Sequence, residues 1–333
     1  MALLFFDGFD MYQATSQLAH RGWTNLPSGV NQPGRFGTSR SIYMNGAANY
    51  VIRSLAATST ISIGVAFRCE TMTGLVATGS DVFRFLNGTT LQCKMGVKND
   101  GSLVIGRADF VGNLIAASAV GLVTAASWNY VEVELTRDAA AGVMKVWFNG
   151  VLVINSTGVN TGASDIDNFA FTGHPGNNFF YDDFYITNNA TRLGERRVDY
   201  LPPTADTATE DWSLSAGVNS YALLDEIPLN NDTDYVHSAT VGNKDLFDMA
   251  DLTTTPVAID GVQTVLVARK DDAATREVRT NLKNGTTTTN GTTRTMSASY
   301  AISSDLYLLN PDTAAAWTPA EINSTQLGIE VVT

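Results

Sequence analysis

Apolar and polar residues alternate with a period of two along most of this chain, most plainly between Trp128 and Val153. Tyr130 to Arg137 and Met144 to Phe148 each read as a strand with one buried face. Asp138 to Gly142 links them through small and polar residues. Asn149-Gly150 then supplies the positive φ that a type I′ hairpin demands, so Val151 to Ile154 folds straight back and completes a three-strand meander.

The same pattern predicts strands on both sides of this meander. Before it come Leu3 to Phe6, Ser41 to Met44 and Tyr50 to Arg53 around the Asn45-Gly46 turn signal, and Thr60 to Arg68. Val82 to Leu86, Leu91 to Val97 and Leu103 to Arg107 follow as a second meander, turning at Asn87-Gly88 and Asp100-Gly101. Leu114 to Leu122, rich in small residues, reads as a strand with a loop. After the meander, Phe169 to Thr172 and Phe179 to Thr187 close the series.

The Pro202-Pro203 pair, preceded by the charged stretch Arg192 to Arg197, suits a linker better than a strand. A domain boundary is therefore expected near residue 198, giving domains 1–198 and 199–333. In the second domain, strands are expected at Tyr221 to Leu224, Tyr235 to Ser238, Lys244 to Met249, Gly261 to Lys270, Arg276 to Lys283, Ala298 to Leu309 and Gln326 to Val332. Thr318-Pro319-Ala320-Glu321 has capping-box spacing and predicts the one short helix. The expected fold class is all-β, with two tandem antiparallel β-sandwich (jelly-roll) domains, the second smaller and of about seven strands.

A length of 333 residues suffices for two cores. Acidic residues (33) outnumber basic ones (21), and no basic stripe is available to neutralise phosphates, so nucleic-acid binding is not expected. The N-terminus is apolar for five residues only and meets Asp7 without a basic region or small-residue cleavage site, so it reads as no secretory signal. No apolar run approaches a membrane span, and no membrane insertion is expected. Cys69 and Cys93 lie in neighbouring strand-like segments where they might face each other; both are expected to be buried thiols, too few for a disulfide framework. His20, His174 and His237 lack partners at ligand spacing.

Trp128 opening a strand, the Arg137-Asp138 turn and the run from Val146 through Asn149-Gly150 to Val153 resemble the concanavalin-A-like (laminin-G-like) jelly rolls. The aromatic strand Phe179 to Thr187 resembles their closing strand. Leu201 to Asp206 with Trp212, Tyr221 to Glu226, Asn231 to Thr233, Ala268 to Asp272 and Trp317-Thr318 resemble a module of tailed-bacteriophage structural proteins. There it follows a concanavalin-A-like domain opening with the pattern seen here at Phe6 to Asp10.

The resemblance implies a virion protein made in the host cytoplasm, working beside other virion proteins, as a homo-oligomer, with host-surface glycan as a further partner. It implies a non-enzymatic structural and adhesive role on the tail or an attached fibre. Capsid decoration is the first alternative, and a glycan-binding or glycan-cleaving lectin-like protein the second.

Two kinds of site follow from this fold. Glycoside hydrolysis needs two carboxylates about 5–10 Å apart. The nearest arrangement is Glu132 and Glu134, which share a strand face and are expected to be solvated. Asp182 and Asp183 are adjacent and are expected on opposite faces, unable to act as a pair. The resemblance also implies a structural calcium ion, with no other cofactor, held where first and last strands meet by Asp7, Gly8 and Asp183, with Asp10 and Asp182 as alternates. Trp128 and Trp147, in mid-strand, are expected in the core.

Overall fold

A computed structural model describes residues 3–46 and 50–333, which divide into two compact units, Met1–Val198 and Asp199–Thr333. In the first unit the strands are β1 (Leu3–Asp7), β2 (Trp23–Thr24), β3 (Gly29–Pro33), β4 (Arg40–Asn45) and β5 (Tyr50–Thr58). Then come β6 (Thr60–Cys69), β7 (Ser80–Asn87), β8 (Thr90–Val97), β9 (Leu103–Gly106) and β10 (Leu114–Ala117). The last five are β11 (Trp128–Thr136), β12 (Gly142–Phe148), β13 (Val151–Val159), β14 (Ile166–Thr172) and β15 (Asn178–Thr187).

These strands form two antiparallel sheets. The larger has eight strands in the order β13-β12-β11-β6-β15-β4-β3, with β1 also on β15; the smaller has the order β10-β9-β8-β7-β14-β5-β2. This is an antiparallel jelly-roll sandwich. Both expected meanders are present, and β15 pairs with β1 from Leu3↔Thr187 to Asp7↔Phe184. Asn149 and Gly150 adopt φ of 48° and 80°, as the type I′ turn requires, and the Asn149 side chain accepts from the Tyr130 N–H at 2.8 Å.

The two sheets meet across an aromatic core. Phe171 stacks on Tyr181 at 4.3 Å between ring centroids, Phe169 stacks on Phe184 at 5.1 Å, and Trp23 stacks on Phe171 at 5.7 Å. All five are essentially inaccessible to solvent. Aromatic rings combine large buried areas with favourable offset and edge geometry, so this seam accounts for much of the unit's stability.

Two expectations need correction here. Asn45-Gly46 is no hairpin turn: β4 belongs to the larger sheet and β5 to the smaller, so the chain crosses between sheets. Turn chemistry permits reversal without deciding which neighbour the next strand joins. Cys69 and Cys93 are free and buried as expected, but they sit in different sheets. Residues 192–197 belong to the first unit and lie against its larger sheet, as set out below.

The second unit contains β16 (Pro203–Glu210), β17 (Ser213–Leu214), β18 (Val236–His237), β19 (Lys244–Met249), β20 (Val262–Ala268) and β21 (Glu277–Asn284). It continues with β22 (Thr287–Asn290), β23 (Arg294–Thr295), β24 (Ala301–Tyr307), the helix α1 (Pro319–Asn323) and β25 (Gln326–Val331). A six-stranded sheet, β16-β19-β25-β21-β22 with β23 on β21, is accompanied by the ribbons β20-β24 and β17-β18. Leu266 and Ala268 of β20 pack on Val278, Met296 and Ile329, and Val262 and Tyr307 pack on Leu282, Trp317 and Ile322. The Thr318–Glu321 capping box forms as the sequence predicts.

Tyr221–Leu223 is a 3-10 turn where a strand was expected, because both Asp206 carboxylate oxygens accept backbone N–H groups, from Ser220 and Tyr221. Pro203 opens a strand where a linker was expected. It is tolerated because β16 is a sheet edge, where a missing N–H leaves no neighbour unpaired.

Phe171→Ala removes the ring that touches Trp23, Phe169, Tyr181 and Phe184. It should cost about 3–5 kcal/mol, read as a lower urea midpoint for the first unit.

Candidate functional site

Strand alternation sends Ile61, Ile63, Val65 and Phe67 of β6 and Val131, Val133 and Leu135 of β11 into the core. The intervening residues Ser62, Gly64 and Ala66, with Tyr130, Glu132 and Glu134, therefore line the opposite face of the eight-stranded sheet. Tyr185 lies on this face directly over Gly64, where a Cβ would stand 2.1 Å from the Tyr185 ring. Only glycine leaves room for that approach.

This face is covered by the segment 188–198 that follows β15. The Arg192 N–H donates to Glu134 Oε1 at 3.1 Å, and its guanidinium pairs with Glu132 Oε2 while stacking over Trp147 at 4.8 Å. The Leu193 N–H donates to the Tyr185 hydroxyl at 2.9 Å, and that hydroxyl donates to Glu132 Oε1 at 2.7 Å. At the far end of the segment the Val198 N–H donates to Asp183 Oδ1 at 2.8 Å. Leu193 also packs with Leu3, Ala66, Tyr130 and Tyr185.

Glu132 is consequently fully buried, which corrects the expectation of a solvated strand face. The sequence signal for this was present in the arginines of residues 192–197, but nothing local says that an irregular segment will fold back onto a sheet. Trp147 and Trp128 are half-buried on this outer face instead of lying in the core, Trp147 under Arg192 and Trp128 beside Arg68.

The second correction concerns Asp182 and Asp183. Between Asp182↔Ala66 and Tyr185↔Gly64 the register of β15 slips, and Asp183 takes φ of 51°. A β-bulge of this kind places two successive residues against one on the partner strand, so both aspartates emerge on the outer face. The Asp183 N–H donates to Asp182 Oδ1 at 2.7 Å. Asp182 Oδ2 accepts from the Arg35 N–H at 2.7 Å and the Ser39 hydroxyl at 3.2 Å. Asp183 Oδ2 lies 3.5 Å from the Arg35 guanidinium, which also pairs with Glu195, donates to the Arg196 carbonyl at 3.4 Å and stands over the Tyr130 ring at 5.0 Å.

Burial and the neighbouring Asp183 charge push the Asp182 carboxyl well above its ordinary range. Burial also pushes Asp183 up to about 6, against the opposing pull of the Val198 N–H and Arg35. A raised folded-state value means that Asp183 stabilises the fold fully below about pH 4, and that this contribution is lost as pH rises through about 6.

The carboxylates expected to hold calcium are engaged by donors of the protein itself. Asp7 lies opposite Phe184 and points into the core, where its carboxylate accepts from Tyr12 Oη at 2.6 Å, Trp23 Nε1 at 3.1 Å and the Phe9 N–H at 3.0 Å. Asp183 points away from that core, towards a guanidinium. Gly8 packs closely on Asp10 Oδ2 and Val198, which a Cβ there would meet at 2.9 Å and 3.0 Å. Asp10 Oδ1 itself accepts the Arg40 N–H at 2.6 Å. Among the described residues no group of three or more His, Cys, Asp or Glu is arranged for a metal ion, and the donor set as it stands does not fit calcium, which takes six to eight oxygens. Asp7 instead ties the N-terminal strand to the aromatic core.

No protein-family model matches the sequence, and no curated protein sequence matches it. Among solved structures the chain is similar to the alginate lyase Aly36B, with a TM-score of 0.38 and 12% identity over 59% of this chain and 98% of that one. It is similar also to the carbohydrate recognition domain of Emp46p in its potassium-bound form (TM-score 0.36, 11% identity, 56% and 99% of the two chains). A third is a native heptameric SAP-like pentraxin from Limulus polyphemus (TM-score 0.33, 15% identity, 44% and 75%). The description of this chain as antiparallel β-sandwich rests on its own strand order.

Two measurements check this face. Glu132→Ala strands the Tyr185 hydroxyl and the Arg192 guanidinium and should cost about 2–4 kcal/mol in urea denaturation; a loss under about 0.5 kcal/mol would mean that segment 188–198 does not dock. Asp183→Asn removes a group whose contribution fades with rising pH. The melting temperature of the variant relative to wild type should therefore climb by about 2–5 °C between pH 4 and pH 7.5.

Proposed function

We propose that the protein is a non-enzymatic structural component of a tailed-phage virion, exposed on the tail or an attached fibre. Assembly is its primary work, and host-surface glycan adhesion its second. The observation that carries the non-catalytic reading is the state of Glu132 and Glu134. A hydrolytic pair must flank a scissile bond in an accessible groove, with one acid poised to donate a proton. Here one carboxylate is fully buried and neutralised by Arg192, and the other accepts a backbone N–H from the segment that covers both.

The virion assignment rests on the sequence: the Phe6–Asp10 opening, the Trp128–Val153 meander and the motifs from Leu201 to Trp317 occur in the order seen in phage structural proteins. A sandwich whose larger sheet is closed by its own chain offers loops and edge strands for contact, which suits a protein that is held by neighbours.

Immunogold electron microscopy of phage particles, with antibody against the isolated protein, tests the reading. Gold on the tail or its fibres is expected. Gold over the head would assign the protein to capsid decoration instead, and unlabelled particles with a demonstrably accessible epitope would overturn the virion assignment. Release of reducing sugar from polysaccharide, abolished by Glu132→Gln, would overturn the non-enzymatic part.

A further inference from the structure

We propose that Arg35 is a built-in replacement for a structural cation, so that closure of segment 188–198 over the larger sheet is independent of metal. Three oxygen donors surround its guanidinium: Asp183 Oδ2 at 3.5 Å from Nη1, the Arg196 carbonyl at 3.4 Å from the same nitrogen, and the Glu195 carboxylate paired with Nη2. Asp182 is held against the same residue through the Arg35 backbone N–H. Asp183 Oδ2 is buried and has no hydrogen-bond partner, and the Arg35 guanidinium lies at ion-pair distance from it, with Arg197 adding a further attraction. Two carboxylates and a carbonyl are hard oxygen donors of the type that calcium takes. Here a planar, permanently charged guanidinium occupies their centre, and it needs no loading from solution.

The arrangement also ties together three separate parts of the chain. Asp183 belongs to the bulge of β15, whereas Glu195 and Arg196 belong to the covering segment, and Arg35 precedes β4. A cation at this point pulls the segment onto the bulge. Its loss leaves the buried Asp183 carboxylate facing two more oxygens without the guanidinium between them, and a poorly compensated buried charge is strongly destabilising.

The proposal makes an asymmetric prediction about calcium, tested by thermal melting of the full chain with EDTA and then with calcium at about 1–10 mM, the range of weak sites. Wild type should melt at the same temperature in both. Arg35→Gln should melt about 5–10 °C lower in EDTA, and calcium should recover at least half of that loss because it can now enter the oxygen cluster. The double variant Arg35→Gln with Asp183→Asn should lose the calcium response, while Arg35→Lys, which keeps a cation, should remain indifferent to calcium.

A calcium-dependent rise for wild type would overturn the proposal. So would an Arg35→Gln variant that melts like wild type, or one that is destabilised and gains nothing from calcium. If Arg35→Gln does not fold in EDTA, refolding in calcium decides: recovery supports the proposal, and failure in both conditions overturns it.

Discussion

Burying carboxylates on the outer face of a sheet is the constraint to which the rest of the first unit is fitted. Glu132, Asp182 and Asp183 are all but inaccessible to water, although the strands that carry them present this face away from the core. Charges removed from water must find opposite charges and hydrogen bonds. Here they find them in Arg192, in Arg35 and in the backbone N–H groups of Arg35, Asp183 and Val198. Segment 188–198 is therefore part of the fold of the larger sheet, and its irregular backbone is fixed by the side chains that it covers.

The two faces of that sheet work by different physics. Inwards, the packing of Trp23, Phe169, Phe171, Tyr181 and Phe184 is dominated by apolar burial and ring geometry, with Asp7 as a single buried carboxylate satisfied by Tyr12 and Trp23. Outwards, specificity comes from directional bonds whose strength depends on protonation. Tyr185 joins the two regimes, since its ring packs over Gly64 while its hydroxyl links Glu132 to Leu193. The same face that in an open sandwich would be a binding groove is here closed by the chain itself.

The second unit reaches stability by a more polar route. Its six-stranded sheet carries Asn281, Asn284 and Glu330 in buried positions, joined to Asn290, Thr325 and Arg279 by side-chain hydrogen bonds. Apolar contact is concentrated where the β20-β24 ribbon meets that sheet. Side-chain networks of this kind fix register as much as they stabilise, which suits strands rich in Thr and Asn with little apolar side chain to pin them.

The sequence by itself determined most of the strands, the two meanders, the Asn149-Gly150 turn and the capping box at Thr318. These follow from side-chain periodicity and from local backbone chemistry, which neighbours in sequence already specify. Tertiary structure alone decided the rest. Alternation placed Asp182 and Asp183 on opposite faces, and a bulge overrode it, since one left-handed residue resets the period for everything after it. Glu132 looked solvated because a strand's outer face is exposed unless something covers it, and the covering segment is some 60 residues away in the chain. Asp7 looked like a metal ligand because its place in a motif does not reveal which way its carboxylate points. Each of these depends on where distant segments come to rest, and charge, burial and hydrogen bonding are settled only once they have.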